Sequence, residues 1–484
     1  MVQLRSDIKQ GGLKPLVVDL DGTLLDSDML VEAVFSFLRS HPSNVFQVLV
    51  WLFRGKAYLK SKLAEVVDPD VAVLPYNTTL LERLREEKAH GRSVWLATAT
   101  HQRHAEAVAD HLGIFDGVLA TTEETNLRGK RKHDALVDRF GPRGFDYVGN
   151  DSRDLQIWPS SHEAWVVNPE PGVELKARRL AKVTEVIRTR PSYVTALSKL
   201  LRLHQWSKNT LIFVPLAASH QIFNPLLLID AILAFIVFGF CASAVYLLND
   251  LLDLHDDRRH PTKSARPLAS GTFPINHAPV LAFGLLLSGF GLAIWLLPSS
   301  FVTVLTVYFA LTCLYSLYLK RVVIVDVITL AFLYTLRIIA GAAACGLPLT
   351  FWILAFSVFI FLSLAMVKRY AELHEMRNRG EKGNTGGRNY CLDDLQMVSS
   401  LGGASGYLSV LVLALYLNDP TAAALYSHPE YIWLACPILL FWISRTWLLT
   451  HRGLMSQDPV VFALKDRTSQ STGVVFLAVF LVAL

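Results

Sequence analysis

The stretch VYLLNDLLDLHDDRRHPTKSARPLASG, Val245 to Gly271, brings in Asp250, Asp253, Asp256 and Asp257 directly after Ala231–Leu248, a run with no charged side chain. Such a run is close to the length that crosses a bilayer, so the acids stand at a membrane edge. Asp250, Asp253 and Asp257 are spaced by three and four residues, which puts them on one face of a helix continuing out of the span. Like charges so placed repel. A cation is expected among them, either a Lys or Arg side chain or Mg2+, which takes carboxylates together with phosphate oxygens. Asp256 points elsewhere on that helix and reads as solvated.

The whole chain supports the membrane reading. Its 484 residues are 52% hydrophobic and 18% charged, with a mean hydropathy of +0.36; soluble domains carry about 25% charge. Residues 1 to 195 read as soluble and the rest as mostly apolar. The net charge of +5 fits cytosolic loops beside spans and gives no argument for a nucleic-acid partner. Of five cysteines, Cys241, Cys313, Cys345 and Cys436 lie in apolar runs and Cys391 in a polar loop, none at a metal or redox spacing. MVQLRSDIKQGGLKP at the start has no signal-peptide core, so the first half is expected in the cytosol. Nine spans are expected, centred near residues 218, 238, 287, 308, 333, 358, 407, 440 and 477. The inner loops, 249–276, 319–322, 368–397 and 451–467, then hold the Lys and Arg, while NPLL, LPSS, GLPLT and NDPTAAALYSHPE hold none. That satisfies the positive-inside rule and sends the C-terminus outside the plasma (inner) membrane.

In the first half, PLVVDLDGTLLDSD (Pro15–Asp28) runs an apolar strand into an acidic turn. Two more strand signals, SVWLATAT near Thr98 and FDYVGNDSRD near Asn150 and Asp151, alternate with helical patterns. The expectation is a doubly wound α/β domain over 1–174 with polar residues at the strand ends. A mostly helical insert fills about 28–77, and its aromatic, basic WLFRGKAYLKSKL suits either solvent or anionic lipid headgroups. A charged helical linker is expected over 175–198, then the membrane domain over 199–484.

The DxDGT pattern at 19–23, Thr98, Lys132 (or Lys130) and the GNDSRD loop resemble the haloacid dehalogenase superfamily of phosphatases and phosphotransferases over residues 14–170. The resemblance implies that Asp19 is a nucleophile forming an aspartyl-phosphate and Asp21 a general acid and base. It implies that Thr98 and Lys132 hold phosphoryl oxygens, and that Mg2+ sits on Asp19, Asp21 and Asp151 or Asp154, since Asn150 stands where an acid is usual. The insert would be the cap that covers the site.

Asn249, Asp250, Asp253 and Asp257 fit NDxxDxxxD, which resembles the UbiA-type membrane prenyltransferases over 195–484. The resemblance implies a nine-helix bundle whose acids hold Mg2+ on a diphosphate. HQWSKN, HPTKSARPLASG and VKRYAEL are similar to the branch of decaprenyl-phosphate phosphoribosyltransferases. That branch implies phosphoribosyl diphosphate as donor, a polyprenyl phosphate as acceptor, and a cell-wall precursor as product. Lys263 and Arg266 would grip phosphate oxygens, Lys368 and Arg369 the 5-phosphate or the acceptor phosphate, and Lys208 the mouth of a lipid groove. Asp326 and Arg337 share a face of the fifth span, where charges face a bundle interior or water-filled cavity; Tyr315, Tyr318 and Tyr334 suit either the lining of the same cavity or packing alone. The fused phosphatase would then remove the 5-phosphate. The rival reading is an aromatic prenyltransferase using prenyl diphosphate and 4-hydroxybenzoate, against which stands the missing second Asp-rich motif; Asp393 and Asp394 lack that spacing. The oligomeric state is left open.

Overall fold

The structure, a computed structural model, describes residues 13–122, 125–380, 388–419, 426–455 and 458–484. The N-terminal stretch to residue 12, residues 123–124, the Gly-rich part of the expected later inner loop (381–387), the expected outer loop at 420–425 and residues 456–457 lie outside the described residues. The chain forms two compact units, Met1–Leu201 with Tyr246–Ala282, and Arg202–Val245 with Phe283–Leu484.

The first unit is built on a six-stranded parallel sheet in the order β3-β2-β1-β4-β5-β6. The strands are β1 (Leu16–Val18), β2 (Val94–His101), β3 (Gly117–Thr121), β4 (Asp146–Gly149), β5 (Ala164–Val167) and β6 (Val183–Ile187). The unbroken apolar run of β1 suits a strand covered on both faces. Leu16 and Val18 join Leu20, Leu96 and Val148 in one core, while Val17 joins Phe145, Tyr147 and Trp158 in another. β1 pairs with β2 (Val17↔Trp95) and β4 (Val17↔Tyr147), which brings the turn after β1 beside the loop after β4. This is the order of doubly wound sheets, whose sites lie at the carboxyl ends where the order reverses.

Between β1 and β2 come α1 (Met29–Ser40), α2 (Val45–Phe53) and α3 (Lys56–Val66), with their own small core of Phe37, Val48, Trp51, Leu59 and Leu63. Asp28 caps α1 by accepting from the Leu30 and Val31 N–H groups. Then follow α4 (Thr78–Ala89), α5 (Gln102–Leu112), α6 (Lys130–Phe140), α7 (Val173–Leu180) and α8 (Tyr193–Leu200). The helical linker expected over 175–198 is corrected here. Within it VTEVI forms β6, parallel to β5 with Val166 opposite Val186. β-branched residues at an open sheet edge outweigh the charges that flank them.

In the second unit a 3₁₀ helix, Leu203–Phe213, leads into α9 (Val214–Ala218). α10 (Pro225–Leu252) crosses the boundary between units, α11 (Leu254–Arg259) belongs to the first, and the helix that begins at His277 crosses back at Ala282. α12 (His277–Leu296), α13 (Ser299–Leu317), α14 (Val325–Cys345), α15 (Phe351–Asn378), α16 (Leu395–Leu417), α17 (Ala435–His451), α18 (Pro459–Lys465) and α19 (Arg467–Ala483) follow. Among the described residues seven helices are long and apolar enough to cross a membrane: α10, α12 to α15, Leu392–Leu417 and Pro429–His451. The chain is a multi-pass membrane protein. The expected count of nine is not reached. The first expected span divides into 3₁₀ and α segments around Pro215, and α19, at 17 residues, falls short of the ~20 that cross a bilayer. α14 is the most buried of the seven. At Gly341 a Cβ would sit 1.9 Å from the Ile212 carbonyl oxygen, so only glycine lets the 3₁₀ segment close on α14.

Candidate active sites

The first site lies in the first unit, where β1 ends. Gly22 adopts φ +80° there, and a Cβ on it would strike the Asn150 side chain at 2.5 Å. That turn delivers Asp19 and Asp21 to a cavity of about 110 Å³, which Lys56, Lys60, Arg128, Lys132 and Asp151 also line. Lys132 Nζ donates to Asp19 Oδ1 at 2.6 Å and to the Tyr147 hydroxyl at 2.9 Å. Tyr147 in turn donates to Asp154 Oδ1 at 2.9 Å. Asp154 Oδ2 accepts the backbone N–H groups of Asn150 (2.8 Å) and Asp151 (3.0 Å). Asp154 is thus occupied in shaping the loop. Asn150 turns its amide oxygen to Thr23 Oγ1, 3.2 Å away. Asp151 remains beside Asp19, paired with Arg153.

Asp21 accepts from the Thr100 hydroxyl at 2.7 Å and from the Met29 N–H at 2.9 Å. Burial, then the Asp28 charge, pushes its carboxyl up to about 6. Burial also pushes Asp154 up to about 6, with Asp19 adding to it. Burial pushes Asp19 up, and Lys132 pulls it back. Asp19, Asp151 and the Asp21 carbonyl are hard oxygen donors of the kind Mg2+ takes. Asp146, His162 and Glu163 form the one three-residue group found at metal-ligand spacing among the described residues, and Arg92 and His162 already pair with Asp146 there.

Thr98 departs from expectation. β2 continues to His101, and Thr98 is fully buried with its Oγ1 accepting from the Thr100 N–H. Lys60 was missed. It donates to the Ala99 carbonyl at 2.5 Å, and burial lowers its pKa. Its four-residue spacing from Lys56 along α3 was the available signal. Asn126 also borders the cavity, and its Oδ1 has no hydrogen-bond partner among the described residues.

The acidic motif also lies in the first unit. α10 ends at Leu252 and Asp253 N-caps α11, yet the helical pitch persists: Asp253 N–H donates to the Asn249 carbonyl (2.8 Å) and Asp257 N–H to that of Asp253 (2.9 Å). Asp250 and Asp257 are buried, and Arg266 Nη1 bridges them, at 3.2 Å from Asp250 Oδ1. A side chain of the same loop thus supplies a cation among the acids. Arg266, expected on phosphate, lies on the acids. Burial pushes the Asp257 carboxyl up, against Arg266. Asn249 and Lys263 are half-buried nearby in sequence. Asp256 is not merely solvated, because Arg39 of α1 pairs with it. Arg258 binds both Glu32 oxygens, at 2.9 and 2.5 Å, and the Ala269 carbonyl at 3.1 Å. Arg259 pairs with Asp70. These ion pairs tie the motif loop to the helical insert, and 246–282 groups with the first compact unit.

The second unit holds two buried ionic groups. Lys208 pairs with Asp458, and Lys368 lies 3.8 Å from the same carboxylate. Lys208 also stands over the Tyr334 ring at 5.7 Å. A cavity of about 310 Å³ is bordered by Lys368, Glu372, His374 and Asp458. Asp458 was missed, since it meets Lys208 across 250 positions. In the other group, Arg369 is fully buried and bonded to Asp326 (2.5 and 3.3 Å), Tyr315 (3.4 Å) and Glu372. Arg369, expected to hold a phosphate, is already paired. Arg337 meets Asn209 Oδ1 (3.1 Å), the Tyr308 hydroxyl (3.1 Å) and the Leu333 carbonyl (2.6 Å). Asp326 and Arg337 thus serve separate clusters. Tyr315 donates to Asp326, Tyr334 donates to Asp458 and lies under the Arg337 guanidinium at 5.5 Å, and Tyr318 is exposed.

Residues 210–466 match the family model "UbiA prenyltransferase family". The chain belongs to this family. Residues 47–156 match "haloacid dehalogenase-like hydrolase", so a hydrolase domain is joined to a UbiA transferase domain. "Uncharacterized protein y4nM" of Sinorhizobium fredii is 36% identical over 97% of this chain and 91% of its own length. The decaprenyl-phosphate phosphoribosyltransferase of Mycobacterium tuberculosis is 32% identical over 61% of this chain and 97% of its own. A solved UbiA homolog from Archaeoglobus fulgidus, bound to GPP and Mg2+, matches with TM-score 0.46 at 17% identity, over 59% of this chain and 99% of that one.

Proposed function

We propose that the UbiA domain transfers 5-phosphoribose from phosphoribosyl diphosphate to a polyprenyl phosphate, and that the hydrolase domain then removes the 5-phosphate. The similarity to decaprenyl-phosphate phosphoribosyltransferases supports the first step. Asn249, Asp250, Asp253 and Asp257 would hold Mg2+, whose charge stabilises a leaving diphosphate. Arg266 and Lys263 add positive charge to that oxygen-rich group as the ribose centre becomes oxocarbenium-like. Lys208 and Lys368 supply cations for a phosphate. The acceptor oxygen forms the new bond to the ribose carbon, and the bond to diphosphate breaks.

The observation that carries the second step is the contact of Lys132 with Asp19. A carboxylate neutralised on one oxygen, beside an Asp21 whose pKa burial pushes up to about 6, is equipped for phosphoryl transfer. Asp19 attacks phosphorus while Asp21 gives its proton to the departing ribose oxygen. Water then attacks the aspartyl-phosphate, Asp21 takes its proton, and phosphate leaves. Mg2+ would rest on Asp19, the Asp21 carbonyl and Asp151, and would offset the phosphoryl charge. Both steps take place on the cytosolic face, with the C-terminus outside.

The test incubates the whole chain with Mg2+, phosphoribosyl diphosphate and a polyprenyl phosphate, with products read by mass. Intact protein should yield ribosylated lipid without the 5-phosphate. Asp19→Asn should accumulate the 5-phosphorylated lipid, and Asp250→Asn should make neither. A 5-phosphorylated lipid accumulating with the intact chain would sink the second step. No ribosylated lipid at all would sink the first.

A further inference from the structure

The cap carries an apolar surface that neither reaction uses. α2, VFQVLVWLF, has no charged residue. Val48 and Trp51 anchor it in the small core of the cap. Its other face is open: Phe46 is 80% exposed and Phe53 91%, with Val45, Leu49, Val50 and Leu52 exposed beside them. A soluble domain rarely leaves a contiguous apolar patch without a partner.

The surrounding charge identifies the partner. From His41 to Ala64 there is no acidic residue, and Arg54, Lys56, Lys60 and Lys62 are the charges. Arg54 and Lys56 are exposed, immediately after the patch. Aromatic and aliphatic side chains beside a cationic rim are what a helix needs to lie in an anionic bilayer interface. The same chain contributes seven helices able to cross that bilayer. Two copies meeting symmetrically through this patch would instead bring the like-charged rims together. The patch also stands next to the hydrolase cavity along the chain, because Lys56 and Lys60, which line that cavity, follow Phe53 on α3.

We propose that α2 is an interfacial foot seated in the anionic headgroup layer, so that the Asp19 cavity takes a phosphomonoester borne by a lipid at the bilayer surface. The second clause rests on the phosphatase reading above, while the first does not.

The test places a nitroxide at Phe53→Cys in the full chain, with the unsubstituted chain labelled in parallel. The protein is reconstituted in phosphatidylglycerol–phosphatidylcholine vesicles. Dissolved oxygen should relax the label and a water-soluble nickel chelate should not. Relaxation by the chelate would place the patch in water and overturn the foot. Shielding from both reagents would also overturn it, with a second copy indicated if spin–spin broadening disappears on dilution with unlabelled protein, and packing against the same chain if it does not. For the substrate class, Phe46→Ser/Phe53→Ser should lower hydrolysis of the 5-phosphorylated lipid in vesicles about tenfold, as loss of ~1.4 kcal/mol of interfacial binding would. Hydrolysis of p-nitrophenyl phosphate should stay within about twofold. Equal losses on both substrates would overturn the lipid assignment. No turnover of either by the intact chain would overturn the phosphatase reading and leave the nitroxide result standing.

Discussion

Two acidic turns in the first unit answer the same electrostatic problem in different ways. At the end of β1, Asp19 takes Lys132 from 113 residues away, and both side chains are nearly buried. At the end of α10, Asp250 and Asp257 take Arg266 from within their own loop, and that arginine is 30% exposed. Lys132 is fixed again by Tyr147, which Asp154 orients. Arg266 is more exposed, so the metal–diphosphate proposed for this site would share or displace it at lower cost. The first arrangement is fixed in advance, as the proposed phosphoryl transfer requires. The second holds its acids neutralised by a half-exposed arginine, as the proposed binding of a metal–diphosphate there requires.

The largest expected effect breaks the first arrangement at its centre. Asp19→Asn should lower hydrolysis of p-nitrophenyl phosphate by about a thousandfold or more, because the nucleophile itself is lost; steady-state kinetics check this. Asp250→Asn should lower ribosylated-lipid formation by roughly a hundredfold or more while hydrolysis of p-nitrophenyl phosphate persists, which would show that the two turns serve different reactions. If both activities fall together, the comparison between them is wrong.

Breaking the tie between cap and motif loop should act on stability. Arg258 and Glu32 are both nearly buried, at 5% and 11% exposed side chain. Arg258→Met leaves Glu32 an unpaired buried charge and should cost about 3–5 kcal/mol, read from thermal unfolding of the purified protein. Adding Glu32→Leu should recover most of it. The smallest effect sharpens the role of Asp21. Its pKa is raised to about 6, so it is protonated below that pH and the general acid is lost above it. Hydrolysis should therefore fall as pH rises through about 6, and kcat/KM against pH should lack that limb in Asp21→Asn. The stability sign agrees. A carboxyl raised on folding stabilises below its unfolded pKa, and that contribution is lost as pH rises through about 6.

Much of this was legible because it is local. A buried strand running into DLDGT, charged loops alternating with apolar spans, and acids at spacings of three and four each occupy a few consecutive residues. Lys132 was legible through its motif. β6 was not, since five residues among charges give no pattern until β5 offers an edge. The division of the first expected span was hidden too, because hydropathy does not distinguish 3₁₀ from α backbone.

The sequence by itself determined that an α/β domain with an acidic turn after its first strand is joined to a multi-pass membrane domain, because strand, turn and span are written in short-range periodicity and charge; the motifs added the family resemblances. Only the tertiary structure decided which cation meets which acid. Arg266 met Asp250 and Asp257, Lys208 met Asp458, and Arg369, expected on a phosphate, met Asp326. The reason is physical. A buried charge needs a partner at about 3 Å, and many cations along the chain are chemically equal candidates until the fold brings one of them within reach.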